Sequence, residues 1–266
     1  MFDYQKEIEN IVKWMKKYNR EAGTNGYVVG TSGGIDSAIM LCIAIKAVGK
    51  ENVIAVSMDC EEYEYKDSMD SINLCTNLGI PLRSIPIIKP FENITDLVEI
   101  NLISSNDKNK SLSKLTKGNL KSRIRADILM TFCNHNNMLL AGTSNKSEMM
   151  LGYFTVGGDG LAAMEALGEF YKHEIYEMAK HLPEIPENII SKNPTADLWE
   201  GQNDSDELGM DYKEIDKILI ALEIEWATGD LSVFNTLQKD QVEKIRNMIE
   251  KSEYKRHMPP TYKRKI

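Results

Sequence analysis

The sequence has no run of about 18 apolar residues, the length a helix needs to cross a bilayer. Its first stretch, Met1 to Arg20, is charged and amphipathic and lacks the apolar core of a secretory signal. Cysteine is sparse: four in 266 residues, at positions 42, 60, 75 and 133, with no Cys-x-x-Cys spacing. This excludes a disulfide framework and a thiolate zinc site and points to a cytoplasmic location. Cys42 and Cys75 lie in apolar helical patterns and read as core thiols, and Cys60, beside Asp59, reads as a bystander. Basic residues are outnumbered, 32 Lys and Arg against 40 Asp and Glu, for a formal net charge of −8. A broad nucleic-acid footprint is thereby excluded. No internal repeat and no clean composition break divides the chain, so residues 1–266 read as a single domain. With 42% hydrophobic and 27% charged residues, it can bury a proper core.

The stretch that organises the rest is Tyr27-Val28-Val29-Gly30-Thr31-Ser32-Gly33-Gly34-Ile35-Asp36-Ser37. Apolar residues come first and read as a buried strand. Glycines and hydroxyls follow, and Asp36 and Ser37 open an apolar helix running to about Val48. A strand, a glycine turn and a helix N-terminus form an anion site, because free N–H groups and the helix dipole converge there. Glycine lets the backbone approach the ligand. The turn has no lysine, so it is not a Walker A loop. The carboxylate of Asp36 belongs in an anion cradle only when a cation bridges it to the anion, and Mg²⁺ is the usual bridge to phosphate. Ser-Gly-Gly-x-Asp-Ser after a strand resembles the pyrophosphate loop of ATP pyrophosphatases, which split ATP between its α- and β-phosphates.

Tyr4, Ile8, Ile11, Val12 and Met15 recur at helical spacing and predict an amphipathic helix over 2–21. Strands are predicted at Val53–Met58, Leu82–Ile87 and Met138–Ala141, with helices at 66–78, 90–103 and 119–134. This alternation implies an α/β fold: a Rossmann-like parallel sheet with helices on both faces, and ligands at the carboxyl ends of the strands. The polar stretch Ser104–Gly118 reads as a mobile loop. Gly142–Gly160 is glycine-rich, 169–181 is helical, and 182–210 reads as a set of turns. Helices at 211–225 and 239–251 form a C-terminal helical extension, followed by a basic tail from Tyr254.

Gly142-Thr143-Ser144-Asn145-Lys146-Ser147-Glu148 forms a second polar turn at the same sheet edge. Thr143 can meet adenine or ribose and Glu148 can be a second metal carboxylate. The plainer reading is a strand-to-helix turn with Ser144 or Asn145 as the cap. Arg123 can contact a phosphorylated substrate through its planar fork, or pair with Asp127 one helical turn away.

Taken together, these residues resemble the NAD synthetase family, specifically its ammonia-dependent type, within the adenine nucleotide alpha-hydrolase-like superfamily. The matches run nearly end to end: Ser32–Ser37, Gly118-Asn119 with Arg123 and Arg125, Gly142-Thr143 with Ser147-Glu148, Gly152-Tyr153, and Gly158-Asp159. They continue through Tyr171-Lys172, Lys192–Leu198, Asp206–Gly209, Tyr212 and Ile215-Asp216. The resemblance implies ATP-dependent amidation of nicotinic acid adenine dinucleotide (deamido-NAD) to NAD through an acyl-adenylate, with AMP and pyrophosphate released. No amidase domain precedes the loop, so free ammonia is the expected nitrogen source. It further implies that Gly30, Thr31, Ser32, Gly33, Gly34, Ile35, Asp36, Ser37, Thr143, Lys172 and Thr195 bind ATP. Asp36 and Glu148 would hold Mg²⁺, Asp36 and Lys172 would be catalytic, and Arg123, Tyr254 and Lys255 would bind deamido-NAD. Lys172 could instead be a solvated lysine on its helix. The family's subunits pair as homodimers, with the C-terminal residues closing over the dinucleotide.

The chain departs from the family where the dinucleotide is bound. Val156, Ala163 and Tyr254 stand where many members have Lys, Asp and His, and Ala166 replaces a Pro. A related amidoligase with another carboxylate substrate is therefore the first alternative, and a transfer-RNA-modifying ATP pyrophosphatase the second. Ser104–Gly118 and residues 200–208 are the segments expected to close over the reaction and exclude water.

Overall fold

The computed structural model describes residues 2–60, 65–105 and 108–264. Five parallel strands, β1 (Tyr27–Gly30), β2 (Val53–Ser57), β3 (Leu82–Ser84), β4 (Leu139–Gly142) and β5 (Met164–Glu165), form one sheet in the order β3-β2-β1-β4-β5. The central strands are apolar throughout because both faces are covered. Tyr27 and Val29 of β1 enter one core; Val28 enters the other. The register repeats this across the sheet. Val28 is level with Ile54 and Leu140 in the second core, and Val29 with Ala55 and Ala141 in the first.

The first core is covered by α1 (Tyr4–Ala22), α2 (Ile35–Val48), α3 (Tyr65–Leu78), α7 (Lys172–Ala179) and the short α8 (Glu187–Ile190). The second is covered by α4 (Ile88–Ser104) and α5 (Lys114–Asn136). α6 (Lys146–Leu151), α9 (Asp204–Leu208), α10 (Tyr212–Thr228) and α11 (Lys239–Ser252) share a third cluster around Leu208, Ile215, Leu219 and Ile245. No described helix is long and apolar enough to cross a membrane.

Most predicted elements are present, and several differ; within 182–210, read as turns, Glu187–Ile190 and Asp204–Leu208 are helical. The polar composition of Ser104–Gly118 predicts a loop, yet residues from Lys114 on are helical, and 106–107 lie outside the described residues. Ser113 starts that helix, its Oγ accepting the Thr116 N–H at 3.1 Å. Gly118 then lies so close to Leu198 that a Cβ there would come within 2.9 Å. β3 ends at Ser84 rather than Ile87: the Ile85 and Ile87 N–H groups still donate to the Ser57 and Asp59 carbonyls at 2.9 and 2.8 Å, but Ile87 is already the residue that opens α4. β5 is two residues long and pairs only with β4, too short for periodicity to reveal.

β2 and β3 continue the sheet on one side of β1; β4 and β5 continue it on the other. Adjacent crossovers therefore leave β1 and β4 in opposite directions, and the crevice beyond their carboxyl ends is the expected ligand site.

Candidate active site

A cavity of about 760 Å³ opens at that crevice, with Gly30, Met58 and Gly142 at the ends of β1, β2 and β4 in its wall. The glycine turn after β1 forms its floor. Among the described residues no side chain caps α2, so its first amides remain available to an anion. The turn closes on itself through hydroxyls: Ser37 Oγ donates to the Gly34 carbonyl at 2.9 Å and accepts from the Ser32 N–H at 3.3 Å. Thr31 Oγ1 is buried and has no hydrogen-bond partner among the described residues. Gly33 has φ of +77°, and a Cβ there would lie 2.5 Å from the Asp67 carbonyl oxygen, so only glycine fits against α3.

Three charged side chains meet above the turn. Lys172, 4% exposed, places Nζ 2.6 Å from Asp36 Oδ2 and 3.0 Å from Glu148 Oε1, with the Tyr212 ring 5.3 Å away. The solvated alternative for Lys172 is excluded. Burial favours loss of the ammonium proton, but the two carboxylates together outweigh it and hold Lys172 protonated. Burial pushes the Glu148 carboxyl up to about 7; Lys172 opposes this and Asp36 adds to it. Asn145, fully buried, fixes the pair. Its Nδ2 donates to Asp36 Oδ1 at 2.9 Å, and its Oδ1 caps α6 by accepting from the Glu148 N–H at 3.0 Å. The turn is thus both the capped helix start and part of the charged centre.

The residues present fit a hard divalent cation. Asp36 and Glu148 already converge on one cationic position, and burial leaves Glu148 short of positive charge. Two carboxylates with phosphate oxygens and water make an ordinary Mg²⁺ shell. Among the described residues, no group of three or more His, Cys, Asp or Glu offers a fully protein-built site.

The other sequence-predicted residues are gathered around the same cavity, apart from Gly33, which backs onto α3, and Ile35, whose side chain is in the core. Thr143 lines the wall, and Thr195 Oγ1 is tied to Asp197 at 3.1 Å. Arg123 does not pair with Asp127; its Nε donates to the Val156 carbonyl at 3.1 Å, which steadies the guanidinium at the cavity edge. Lys255 Nζ donates to the Gly152 and Phe154 carbonyls at 2.7 and 2.8 Å, and Tyr254 beside it is 72% exposed.

Sequence reasoning missed an acidic corner next to Lys172. Asp204, 3% exposed, accepts from Tyr153 and Tyr212 hydroxyls at 3.2 Å each, and Tyr153 also reaches Glu207 at 2.5 Å. Burial raises the Asp204 carboxyl above its usual range, with Lys172 opposing. The signal lay in residues 203–209, whose Asn203 cap and acidic first turn mark α9.

Glu165 was also missed. Its carboxylate packs on Gly142, where a Cβ would come within 2.1 Å, and accepts the Ser144 N–H at 3.1 Å. Burial pushes it up to about 8, the Ser144 N–H opposing. A carboxyl raised on folding favours the folded state below its unfolded value. That contribution is lost as pH rises through the folded value. Glu165→Gln should therefore raise Tm by about 3–6 °C at pH 8 and leave it unchanged near pH 4.5. Thermal melts across that range check it; equal shifts at both pH values would contradict the assignment.

The model of the family described as NAD synthase matches residues 7–259. The chain is 38% identical over 266 residues to the NH₃-dependent NAD⁺ synthetase of Thermococcus kodakarensis, covering 97% of this chain and 96% of that protein. It is 39% identical over 264 residues to the Pyrococcus horikoshii enzyme of the same name, covering 97% and 95%. Among solved structures, the NH₃-dependent NAD synthetase from Campylobacter jejuni, in complex with nitrate, superposes with a TM-score of 0.80 at 29% identity, covering 99% and 100%. NMN synthetase from Francisella tularensis superposes with a TM-score of 0.79 at 28% identity, covering 98% and 99%. An uncapped helix over a glycine turn, a shared amine between two carboxylates, and kinship along nearly the whole length agree: this chain belongs to the NAD synthase family.

Proposed function

We propose that this chain catalyses the ATP-dependent amidation of deamido-NAD with ammonia, giving NAD, AMP and pyrophosphate. One observation carries this reading: the Lys172 amine is held between Asp36 at the start of α2 and Glu148 of the second turn, in the cavity that the uncapped start of α2 also lines. ATP laid in the turn would have its outer phosphates on the α2 amides and its α-phosphate beside Lys172. The substrate carboxylate attacks the α-phosphorus, the bond to the β-phosphate breaks, and pyrophosphate leaves with the electron pair. Ammonia then attacks the acyl carbon, and AMP departs.

Two anions must meet in the first step, so neutralising charge and holding the reactants in line are the main tasks. Lys172 supplies one positive charge. Asp36 and Glu148 would hold Mg²⁺, which contributes the further neutralisation that phosphate oxygens need. Asp204, Glu207 and Tyr153 offer acceptors for an ammonium ion beside Lys172, and their carboxylates can take its proton. Arg123 would grip a phosphate of the dinucleotide. The exposed apolar residues Leu97, Ile100 and Ile103 of α4, with Leu115, suit the homodimer. A cytoplasmic location fits the substrates and the buried thiols of Cys42, Cys75 and Cys133.

The test supplies ATP, Mg²⁺, ammonium and deamido-NAD and follows products by mass spectrometry. NAD with AMP and no ADP is expected, and chelation of the metal should stop it; orthophosphate and ADP would refute the scheme. Val156 and Leu161, both exposed, put apolar side chains in the cavity wall and favour one second reading, a different carboxylate substrate. Nicotinic acid mononucleotide, assayed in parallel, decides by comparison of kcat/KM. Arg123→Ala should raise KM for the dinucleotide about 10-fold or more with kcat nearly unchanged, the loss of one charge-assisted contact. Unchanged constants would remove Arg123 from the site.

A further inference from the structure

α10 carries a buried carboxylate that the reaction scheme leaves unused. Asp216 is 1% exposed and faces the starts of the two helices that bear Glu148 and Lys172. Its Oδ1 accepts from Ser147 Oγ at 2.5 Å. Its Oδ2 accepts the His173 N–H at 2.9 Å and lies 2.8 Å from His173 Nδ1. Ser147 is fully buried, and its Oγ also accepts the Lys172 N–H at 2.9 Å. The direction of this chain is forced. A backbone N–H only donates, so Ser147 Oγ offers a lone pair to the Lys172 amide and gives its own proton to Asp216 Oδ1. Ser147 is the residue before Glu148, and the amide it holds is that of Lys172 itself. One carboxylate on a third helix therefore sets where both charged side chains begin.

We infer that Asp216 is a positioning residue for the adenylation centre, acting through Ser147 to fix the separation of Glu148 and Lys172. The inference rests on the reading that those two side chains serve the ATP phosphates. Asp216→Asn keeps the shape but puts an N–H donor where two donors need acceptors. Ser147→Ala removes the link and leaves Asp216 in place. Loss of such an outer partner typically lowers activity about 10–100-fold.

The experiment measures pyrophosphate release by Asp216→Asn, Ser147→Ala, the double variant and His173→Ala, with Tm for each. It also records the ¹⁵N signal of the Lys172 side-chain amine, assigned by its loss in Lys172→Met. Each of the first two variants is expected to lower kcat about 10–100-fold, with KM for ATP within about threefold. The double variant should be no slower than the worse single one, because both break one chain. His173→Ala should stay within about twofold, since the Ser147 link survives. The Lys172 signal should shift in Asp216→Asn and Ser147→Ala but not in His173→Ala. Multiplying losses in the double variant, or an unmoved Lys172 signal, would overturn the inference. A wild-type protein that releases no pyrophosphate would overturn the functional reading alone, because the Lys172 signal still decides the role of Asp216.

Discussion

Lys172→Met should lower kcat for pyrophosphate release by about 10³-fold and destabilise the protein in a pH-dependent way. The activity loss follows from removing the protein's own positive charge where two anions meet. The stability loss follows from what remains. Asp36 and Glu148 stay in place, and the carboxylates that shared the amine at 2.6 and 3.0 Å now face each other. Removing one partner of a buried ionic group costs about 3–5 kcal/mol, or roughly 6–15 °C in Tm for a chain of this size. Glu148, already pushed up to about 7 by burial, rises further without Lys172. It is protonated in the folded variant at low pH, so the penalty is small near pH 5 and grows as pH rises past 7. A divalent cation should recover more stability in this variant than in the wild type, because it restores charge at the position Lys172 vacates. Melts at pH 5 and pH 8, with and without Mg²⁺, check all three statements. A penalty independent of pH would mean that the two carboxylates are not coupled through this amine.

Asp36→Ala should abolish adenylation to a similar extent, about 10³-fold, while the fold survives. Asp36 stands in the first turn of α2, in the turn that would hold the phosphates, and it is one of two candidate metal carboxylates. Its loss removes a partner from Lys172 but leaves Glu148 at 3.0 Å, so the ammonium stays paired. Asp36 is also one cause of the raised Glu148 carboxyl, and that value should fall in the variant. The two substitutions therefore share a kinetic defect and differ in stability: Lys172→Met strands two charges, and Asp36→Ala strands none. Exchange of labelled pyrophosphate into ATP, with thermal melts, separates them. Wild-type exchange in Asp36→Ala would dismiss the glycine turn as the phosphate site.

The amino-acid sequence alone determined what depends on neighbours along the chain. The four small or apolar residues of β1, the glycine turn and the opening of α2 occupy one short stretch, so strand, anion cradle and carboxylate were legible together. The parallel sheet followed from the alternation of strands and helices, and a capped helix start from Ser144 and Asn145, of which the structure selects Asn145. Composition misled at Ser104–Gly118, where one cap residue and the packing of Gly118 against Leu198 outweigh a polar sequence.

Only the tertiary structure decided which charges meet. Lys172 is 136 residues from Asp36, and Asn145 is 109 from it. Nothing local distinguishes a lysine buried between two carboxylates from one in solvent. The same holds for Glu165 and Asp216. Each is an acidic residue of ordinary local context whose burial, raised carboxyl or hydrogen-bond partners arise from elements distant in sequence. Pairing and desolvation are properties of the packed chain, because Coulomb attraction and the cost of burial depend on separation in space.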